Sequence, residues 1–398
     1  MKPSQLIELH TPAWWRATGA LCLGSFLVFI NLYSPQPLMP ELQNTYGVST
    51  LSVNALMSLA TIALAASLLV FGPLSDAIGR TGIMKATLLL TGLMSIGLAF
   101  APNFETLLVL RLVQGFVLGG LPAVAIAWMG DRFSHAGLLT AVGLYIAANS
   151  LGGISGRVIS GLMANVGGAE LSFMTIGLIT LTGVGLFWWL LPGNLHRERQ
   201  PFKPLVAGRQ IALHLRNPML LAVYCLGGIN FLVFINQYSF ITFRLAEAPY
   251  ELTARWLGLI FLTYLGGTLG SSLSGRFIAH LPQPVVMLVG VTIMTLGTAV
   301  TLAGALPLIL AGLTINAFGF FLAHSMASSW VSRHATRARG SASALYLVFY
   351  YTGASLGGFW LAPFWYHGHW LGVVVGSWLL LAVSLGIGGW LWRHSRHQ

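Results

Sequence analysis

The sequence is poor in charged residues, and acidic residues are the rarest of these. Asp and Glu together number nine in 398 residues, and all charged types make up 7% of the chain. Since about a quarter of the residues in soluble domains are charged, this composition excludes an ordinary water-soluble globule. Cysteine is nearly absent too. Cys22 and Cys225 both fall within apolar stretches, which excludes a disulfide-stabilised extracellular framework.

Long apolar runs take the place of the missing charge. Apolar residues make up 56% of the chain, and the mean hydropathy is +0.78. Because a helix needs about 20 apolar residues to cross ~30 Å of hydrocarbon, these runs predict an all-α polytopic membrane protein. Twelve transmembrane helices are predicted, at residues 17–37, 50–72, 83–101, 105–129, 137–164, 170–192, 218–243, 254–279, 284–304, 307–331, 340–363 and 370–392.

The placement of the basic residues explains the net charge of +11. Only Arg244 and Arg255 lie in odd-numbered loops, whereas the termini and even-numbered loops hold Lys2, Arg16, Arg80, Lys85, Arg132, Arg197, Arg199, Lys203, Arg209, Arg216, Arg276, Arg333, Arg337, Arg339, Arg393 and Arg396. The positive-inside rule therefore predicts cytoplasmic N- and C-termini in a multi-pass membrane protein. Because membrane topology explains where the basic residues lie, we predict no nucleic-acid partner from the net positive charge.

A sequence repeat predicts two related halves. Residues 26–34 and 231–239 differ at one position out of nine, and further matches recur about half a chain apart. We predict an N-terminal six-helix bundle over residues 1–192, a cytoplasmic linker over 193–217 and a C-terminal six-helix bundle over 218–398. Two such bundles can rock about a site at their interface, which indicates transport by alternating access.

The first half contains two short motifs that combine glycine with charged or amide residues. Between the second and third helices the chain reads Gly72-Pro-Leu-Ser-Asp76-Ala-Ile-Gly79-Arg80. The fourth helix contains Arg111-Leu-Val-Gln-Gly. Both motifs resemble signatures of the major facilitator superfamily, the second of which is centred on a buried arginine. The resemblance implies a twelve-helix transporter fold in which the Gly72–Arg80 motif controls conformational change rather than binding substrate.

A third motif, in helix five, resembles the antiporter signature of that superfamily. Gly143, Gly152, Gly156 and Gly161 have its spacing, but Arg157 stands where such antiporters carry proline. Residues 320–325 and the tyrosine-rich stretch 345–351 are similar to the acriflavine-sensitivity group of drug:proton exporters.

Three titratable groups lie deep within predicted membrane helices. Arg111 and Arg157 must face protein or water, because an arginine in hydrocarbon costs roughly 2.5–3.5 kcal/mol. Either they hold an anionic or electron-rich substrate or gate proton movement, or they are tied up by neighbouring polar groups and brace the domain. His324 could exchange a proton near neutrality, or could be a hydrogen-bonded packing residue.

Other polar residues lie at mid-helix or outer-half positions of helices expected to border the cavity. They are candidates for substrate binding or coupling, and their hydrogen bonds could equally join helices. The set comprises Asn31, Tyr33, Gln114, Asn149, Asn236, Gln237, Tyr238, Tyr346, Tyr350 and Tyr351. Glycines four residues apart at 115 and 119, 152 and 156, 266 and 270, and 353 and 357 predict close helix contacts.

The function predicted from the sequence is secondary active transport of a small molecule, in the form of proton-linked efflux of amphipathic or drug-like compounds. A carrier for a small organic anion or sugar is the alternative, favoured by two buried arginines and no buried acid. A non-transporting membrane sensor or scaffold is a third possibility. We expect a monomer in a lipid bilayer that uses protons, with no enzymatic activity, cofactor or metal.

Overall fold

The computed structural model describes residues 6–192, 204–278, 280–335 and 339–395, and these residues are almost entirely helical. Part of the predicted linker (193–203) and the basic residues Lys2, Arg197, Arg199, Lys203, Arg337 and Arg396 lie outside the described residues. The helices are α1 (Pro12–Tyr33), α2 (Met39–Tyr46), α3 (Thr50–Ile78), α4 (Arg80–Ala99), α5 (Phe104–Leu118), α6 (Gly120–Arg132), α7 (His135–Leu190), α8 (Pro204–Leu215), α9 (Pro218–Ala246), α10 (Ala254–Leu259), α11 (Leu265–Ile278), α12 (Gln283–Val300), α13 (Leu306–His334) and α14 (Arg339–Ser395).

Ten helical stretches in the described part of the chain are long and apolar enough to cross a membrane. Two of them, α7 with 56 residues and α14 with 57, would be about 84 Å long if straight, nearly three times the thickness of the hydrocarbon core. Each reverses direction instead. The hydroxyls of Ser160 and Ser172 in α7 lie 2.5 Å apart, although twelve residues of straight helix would separate them by about 18 Å.

The two reversals have different backbone causes. In α7 the chain leaves helical geometry at Gly167 and Gly168, and Gly168 has a φ of +68°, which glycine adopts without strain. In α14 the break falls at His369, with φ at +45°, and the arms meet where Trp360 Nε1 donates to Gly376 O at 3.0 Å. Each long element therefore consists of two helical arms that pack against each other.

The repeated segments at 26–34 and 231–239 continue differently. Helix α1 ends at Tyr33, because Pro35 and Pro37 have no N–H for the helical hydrogen-bond ladder, and a short 3₁₀ turn (Gln36–Leu38) leads into α2. Helix α9 has no proline there and runs unbroken to Ala246. The first half thus has an interrupted helix where the second has a continuous one.

Glycines bring α7 against α1 and α14 against α9. A Cβ atom added at Gly152 would lie 2.5 Å from Phe26 O, and one at Gly156 would lie 2.4 Å from Ile30 O. In the second half a Cβ at Gly353 would lie 2.0 Å from Gly228 O. The remaining close contacts are Gly115 with Ala60, Gly119 with Ser67, Gly266 with Thr314, Gly270 with Phe318, and Gly357 with Asn236. The prediction that all four glycine pairs mediate helix contacts is confirmed.

Each half has two ends, which we name by their position relative to the 193–203 connection. Trp14 Nε1 donates to Gly137 O (3.0 Å) and Arg16 Nε to Leu190 O (3.1 Å), so the starts of α1 and α7 lie beside the end of α7. In the second half one buried cluster joins the corresponding helix ends, with Leu220, Val331, Ala342 and Leu391 among its members. We call this side the linker face and the opposite side the loop face.

Candidate functional site

Arg157, in the first arm of α7, lies where the two halves meet. Its side chain is 1% exposed. Nε donates to Gln36 Oε1 (2.8 Å), Nη1 to Gly153 O (2.9 Å) and Nη2 to the hydroxyl of Tyr264 in the other half (3.3 Å). Three of its five N–H groups are thereby used. The other two, one on each terminal nitrogen, have no acceptor among the described residues.

Aromatic rings surround the Arg157 guanidinium. Its central carbon lies 4.1 Å from the ring centroid of Tyr33, 4.6 Å from that of Phe261 and 4.7 Å from that of Tyr264. These distances fall within the ~6 Å range of cation–π attraction, which helps to hold a charge away from water. Gln36 connects the same group to α9, since its Nε2 donates to Ile235 O (3.0 Å) and to the hydroxyl of Ser239 (2.9 Å).

A layer of stacked aromatic rings extends from Arg157 into the second half. Tyr264 packs against Phe234 (4.9 Å between centroids), and Phe234 stacks on Phe320 at 4.0 Å. Phe231 stacks on Tyr350 at 3.6 Å with an interplanar angle of 10°. We call the cluster of Arg157, Tyr33, Tyr264, Phe231, Phe234, Phe320, Tyr350 and Tyr351 the aromatic arginine site.

His324 borders this layer on its other side. Its ring lies 4.7 Å from that of Tyr350 and stacks on Phe320 at 5.8 Å. Nδ1 is 2.8 Å from the hydroxyl of Tyr346. The sequence-predicted residues Arg157, His324, Tyr346 and Tyr350 thus lie along one continuous aromatic surface.

Arg111 has a different environment from Arg157. It is fully buried within the first half, and all five of its N–H groups have partners. These partners are Leu56 O (3.2 Å), Asn31 O (3.2 Å), Gln114 Oε1 (2.6 Å), Leu32 O (2.8 Å) and Met57 Sδ (3.9 Å). Asn31 O would normally accept from the residue four positions later, which is Pro35 and has no N–H. Arg111 and the hydroxyl of Ser34 (3.2 Å) therefore both donate to a carbonyl that has lost its helical donor where α1 is interrupted.

The remaining candidates of the first half extend this bracing network. Gln114 Nε2 donates to Ser95 Oγ (2.8 Å), which in turn hydrogen-bonds Asn31 Oδ1. Asn31 Nδ2 donates to Leu27 O and Thr180 Oγ1, both at 2.7 Å. Four helices are joined in this way around Arg111.

Most other candidates also join helices. Gln237 exchanges hydrogen bonds with Thr298 Oγ1 and accepts from Asn316. Tyr238 bonds Thr263 Oγ1 and Leu313 O, and Asn236 Nδ2 donates to Leu232 O and Ala354 O. Asn149 accepts from Ser25 and is partly exposed. The hydroxyls of Tyr33, Tyr350 and Tyr351, by contrast, have no hydrogen-bond partner among the described residues.

The motif at residues 72–80 forms the turn between α3 and α4 on the linker face. Gly79 has a φ of +106°, which permits the turn, whereas a Cβ at Gly72 would meet nothing within 4 Å. Arg80 Nη1 donates to Ala127 O (2.8 Å) and forms an ion pair with Asp131 at the end of α6. The side chain of Asp76 lies outside the described residues. Sequence reasoning missed Asp131, whose position at a helix end close to Arg132 was the available signal.

The halves are in contact near the loop face. A Cβ at Gly161 would lie 2.4 Å from Ala254 O, and one at Gly258 would lie 2.7 Å from Arg157 O. A second seam brings Gly358 against Asn54 and Ser58, where an added Cβ would lie 3.4 Å from side-chain atoms of both. At the linker-face ends of the same helices an added Cβ would meet nothing within 4 Å, as seen at Gly72, Gly143, Gly275 and Gly340.

Several site residues were not predicted from the sequence. Gln36 is the most informative of them, because a polar residue between two prolines at a helix interruption is a signal that the sequence does contain. Tyr264, Phe231 and Phe320 gave no comparable signal, since aromatic residues are common in membrane helices. In the part of the chain that the structure describes, no group of three or more His, Cys, Asp or Glu side chains could hold a metal ion.

Two helical halves that meet at a buried charged site define a membrane transporter of the two-bundle type. The sequence model of the Major Facilitator Superfamily matches residues 21–358, and the chain belongs to that family. The chain is therefore a multi-pass membrane transporter of this superfamily. The superfamily predicted from the sequence motifs is confirmed.

Relatives and a solved structure match along nearly the whole chain. The Bacillus subtilis (strain 168) protein named uncharacterized MFS-type transporter YybF is 35% identical over 387 residues, 97% of this chain and 96% of that protein. The inner membrane transport protein YnfM of Escherichia coli (strain K12) is 34% identical over 392 residues, 98% and 94% of the two chains. The structure of a bacterial homologue of the human lysosomal transporter Spinster, inward-facing and unoccupied, matches in fold with a TM-score of 0.78 and 17% identity, covering 96% of this chain and 98% of that one.

Proposed function

We propose that the chain is a secondary active transporter of the bacterial inner membrane that moves a small amphipathic molecule by alternating access. The two arms of α7 and of α14 raise the ten apolar stretches to twelve crossings, six in each half. The linker face is cytoplasmic in this proposal, because the basic residues predict that side. The contact of the halves near the loop face then corresponds to a conformation open to the cytoplasm.

One observation carries the proposal: Arg157 lies between the halves with two N–H groups that have no acceptor among the described residues. An unsatisfied donor of a buried charge is costly, so it is retained where a ligand can complete it. Arg157 contacts Gln36 on one side and Tyr264 of the other half on the opposite side. A molecule bound there would contact both halves at once, which alternating access requires.

We assign Arg111 the bracing role, which is the second of the two roles considered for the buried arginines. Because its five donors are all used within one half, we infer that it braces the first bundle and does not contact substrate. The bracing set includes Asn31 and Gln114, and the corresponding set in the second half includes Gln237 and Asn316.

Export coupled to protons is the finer form of the proposal, and it rests on the motif resemblance. His324 is the group we assign to proton exchange. It borders the aromatic layer, its Nδ1 contacts the Tyr346 hydroxyl, and no acid occurs among the buried described residues. The motif at 72–80 is assigned to conformational change and not to substrate contact.

A carrier for a small organic anion is the second candidate function. The absence of any buried Asp or Glu from the described residues favours it, since the Arg157 charge then has only dipoles and rings around it. Export and anion transport are compatible, and the same experiment distinguishes cationic from anionic substrates.

The test is transport by inverted membrane vesicles of a panel of cationic dyes and organic anions, with and without a proton gradient. Arg157→Ala should abolish transport and leave insertion and expression near normal. Arg157→Lys should weaken affinity clearly but retain more activity than alanine, because lysine keeps the charge and loses the planar fork. The matched control is Arg255→Ala, which removes an exposed guanidinium at the start of α10.

Loss of folded protein in both Arg157 variants, seen on a fluorescence size-exclusion profile, would assign this residue a bracing role. Wild-type transport and affinity in well-folded Arg157→Ala would remove it from the site.

A further inference from the structure

The aromatic arginine site has chemistry that selects among substrates, and this inference rests on the transport function proposed above. We propose that it binds an aromatic carboxylate, with the carboxylate on the terminal nitrogens of Arg157 and the ring against the tyrosines that border it.

The charge of Arg157 has no ionised partner in the described part of the chain. Buried polar residues there include several Ser, Thr, Asn and Gln, but no Asp or Glu. Its present acceptors are an amide oxygen, a carbonyl and a hydroxyl, all of them neutral. A bound anion would therefore be the first opposite charge that this guanidinium meets, and charge-assisted hydrogen bonds are about twice as strong as neutral ones.

The two unused N–H groups of Arg157 match the two acceptor oxygens of a carboxylate. One N–H group remains on Nη1 and one on Nη2, and guanidinium groups commonly bind the two oxygens of one carboxylate through such a pair of donors. A sugar hydroxyl would use one of these donors and leave the charge uncompensated. A cation would be repelled. Among the substrate classes considered for this chain, an organic anion uses both features of Arg157.

The neighbouring rings provide the apolar part of the site. Tyr33, Tyr350 and Tyr351 keep a slight exposure of 6–9%, whereas Phe231, Phe234 and Phe320 behind them are 1–2% exposed. The rings of Tyr33 and Tyr264, which are 8% and 7% exposed, have their centroids 4.1 Å and 4.7 Å from the central carbon of Arg157, so partly exposed rings border the guanidinium itself. Aromatic pairs favour offset or edge contacts by about 0.5–1.5 kcal/mol beyond area burial, which selects for a ring in the ligand.

Four small probes separate the contributions of charge and ring. Indole-3-acetate carries both features, indole-3-acetamide and tryptamine keep the ring with a neutral or positive group, and cyclohexylacetate keeps the carboxylate without an aromatic ring. The measurement is binding of tritiated indole-3-acetate to the purified full-length protein in detergent, with competition by the other three. We expect the amide and the amine to bind at least about tenfold more weakly than indole-3-acetate. Cyclohexylacetate, which loses only the aromatic contact of about 0.5–1.5 kcal/mol, should bind about 2- to 13-fold more weakly.

Variants locate the selectivity. Arg157→Gln should lower the affinity for indole-3-acetate to about the affinity that the wild-type protein has for indole-3-acetamide. The affinity for the amide itself should stay unchanged in this variant. Arg255→Gln should leave the affinities for both compounds unchanged. If Arg157→Gln does not fold, the ranking of the four probes on the wild-type protein decides alone. Equal competition by the amide or the amine, or no binding of any probe, would overturn the carboxylate assignment. Transport of the dye panel in vesicles is measured separately, so the inference can fail while the transport function stands.

Discussion

Replacing Arg111 should destabilise the protein without acting on the substrate site directly. Methionine is the appropriate substitution, because it fills similar space with an apolar side chain and so avoids a large cavity. The variant loses five hydrogen bonds, all within the first half. At an average of ~0.6 kcal/mol for each hydrogen bond inside a membrane protein, the loss is about 3 kcal/mol.

The actual cost has a specific location. Asn31 O has Pro35 four residues later and keeps only the Ser34 hydroxyl (3.2 Å) as a side-chain donor when Arg111 is removed, so part of the cost should fall on this carbonyl. Arg111→Lys keeps at most three of the five donors and should lose roughly 1 kcal/mol. Leu112→Met, on the exposed side of the same helix, is the control and should be neutral.

The assay is the free energy of unfolding from SDS titration of the purified protein, with indole-3-acetate binding measured on the fraction that remains folded. Folded Arg111→Met should bind the probe as the wild type does. A variant of unchanged stability that no longer binds would refute the bracing role and make Arg111 a ligand-binding residue.

Three further outcomes follow from the fold and from the sequence. Gly161→Leu should stop transport at normal expression, because a side chain there prevents the halves from meeting near the loop face. Gly143→Leu places its side chain in open space and should leave the stability of the protein unchanged. Asp76→Asn should slow transport more than it changes substrate affinity, and a large loss of equilibrium binding at unchanged turnover would contradict this. In a variant without native cysteines, Glu247→Cys should react with a membrane-impermeant thiol reagent in intact spheroplasts and Gln200→Cys should not, and the reverse pattern would invert the orientation.

Much of the fold could be read from the sequence because its signals are local. Apolar runs of the right length fix where helices occur, and the repeat at 26–34 and 231–239 relates the halves without any knowledge of packing. The glycine pairs predicted close contacts correctly because a missing side chain is visible in the sequence. Which helix each pair contacts was not visible there.

The candidate site was less predictable because it depends on which groups satisfy one another in space. Arg111 and Arg157 look alike in the sequence, since both are single arginines in glycine-rich helices. They differ because Arg111 uses all five donors within the first half, one of them on the carbonyl of Asn31, whereas Arg157 reaches an amide, a carbonyl and a tyrosine and keeps two donors unused. Only the packing of α1 against α5 and α7 separates the two cases.

The contact between Gly161 and Gly258 consists of main chain on both sides. Most interfaces that open and close must freeze side chains on closing and release them on opening, at up to ~2 kcal/mol of rotamer entropy for a long side chain. Glycine has no rotamers, so this seam can separate and re-form with little change in conformational entropy. The two end states of the cycle can then stay close in free energy, and a modest difference in ligand affinity between them is enough to shift their populations.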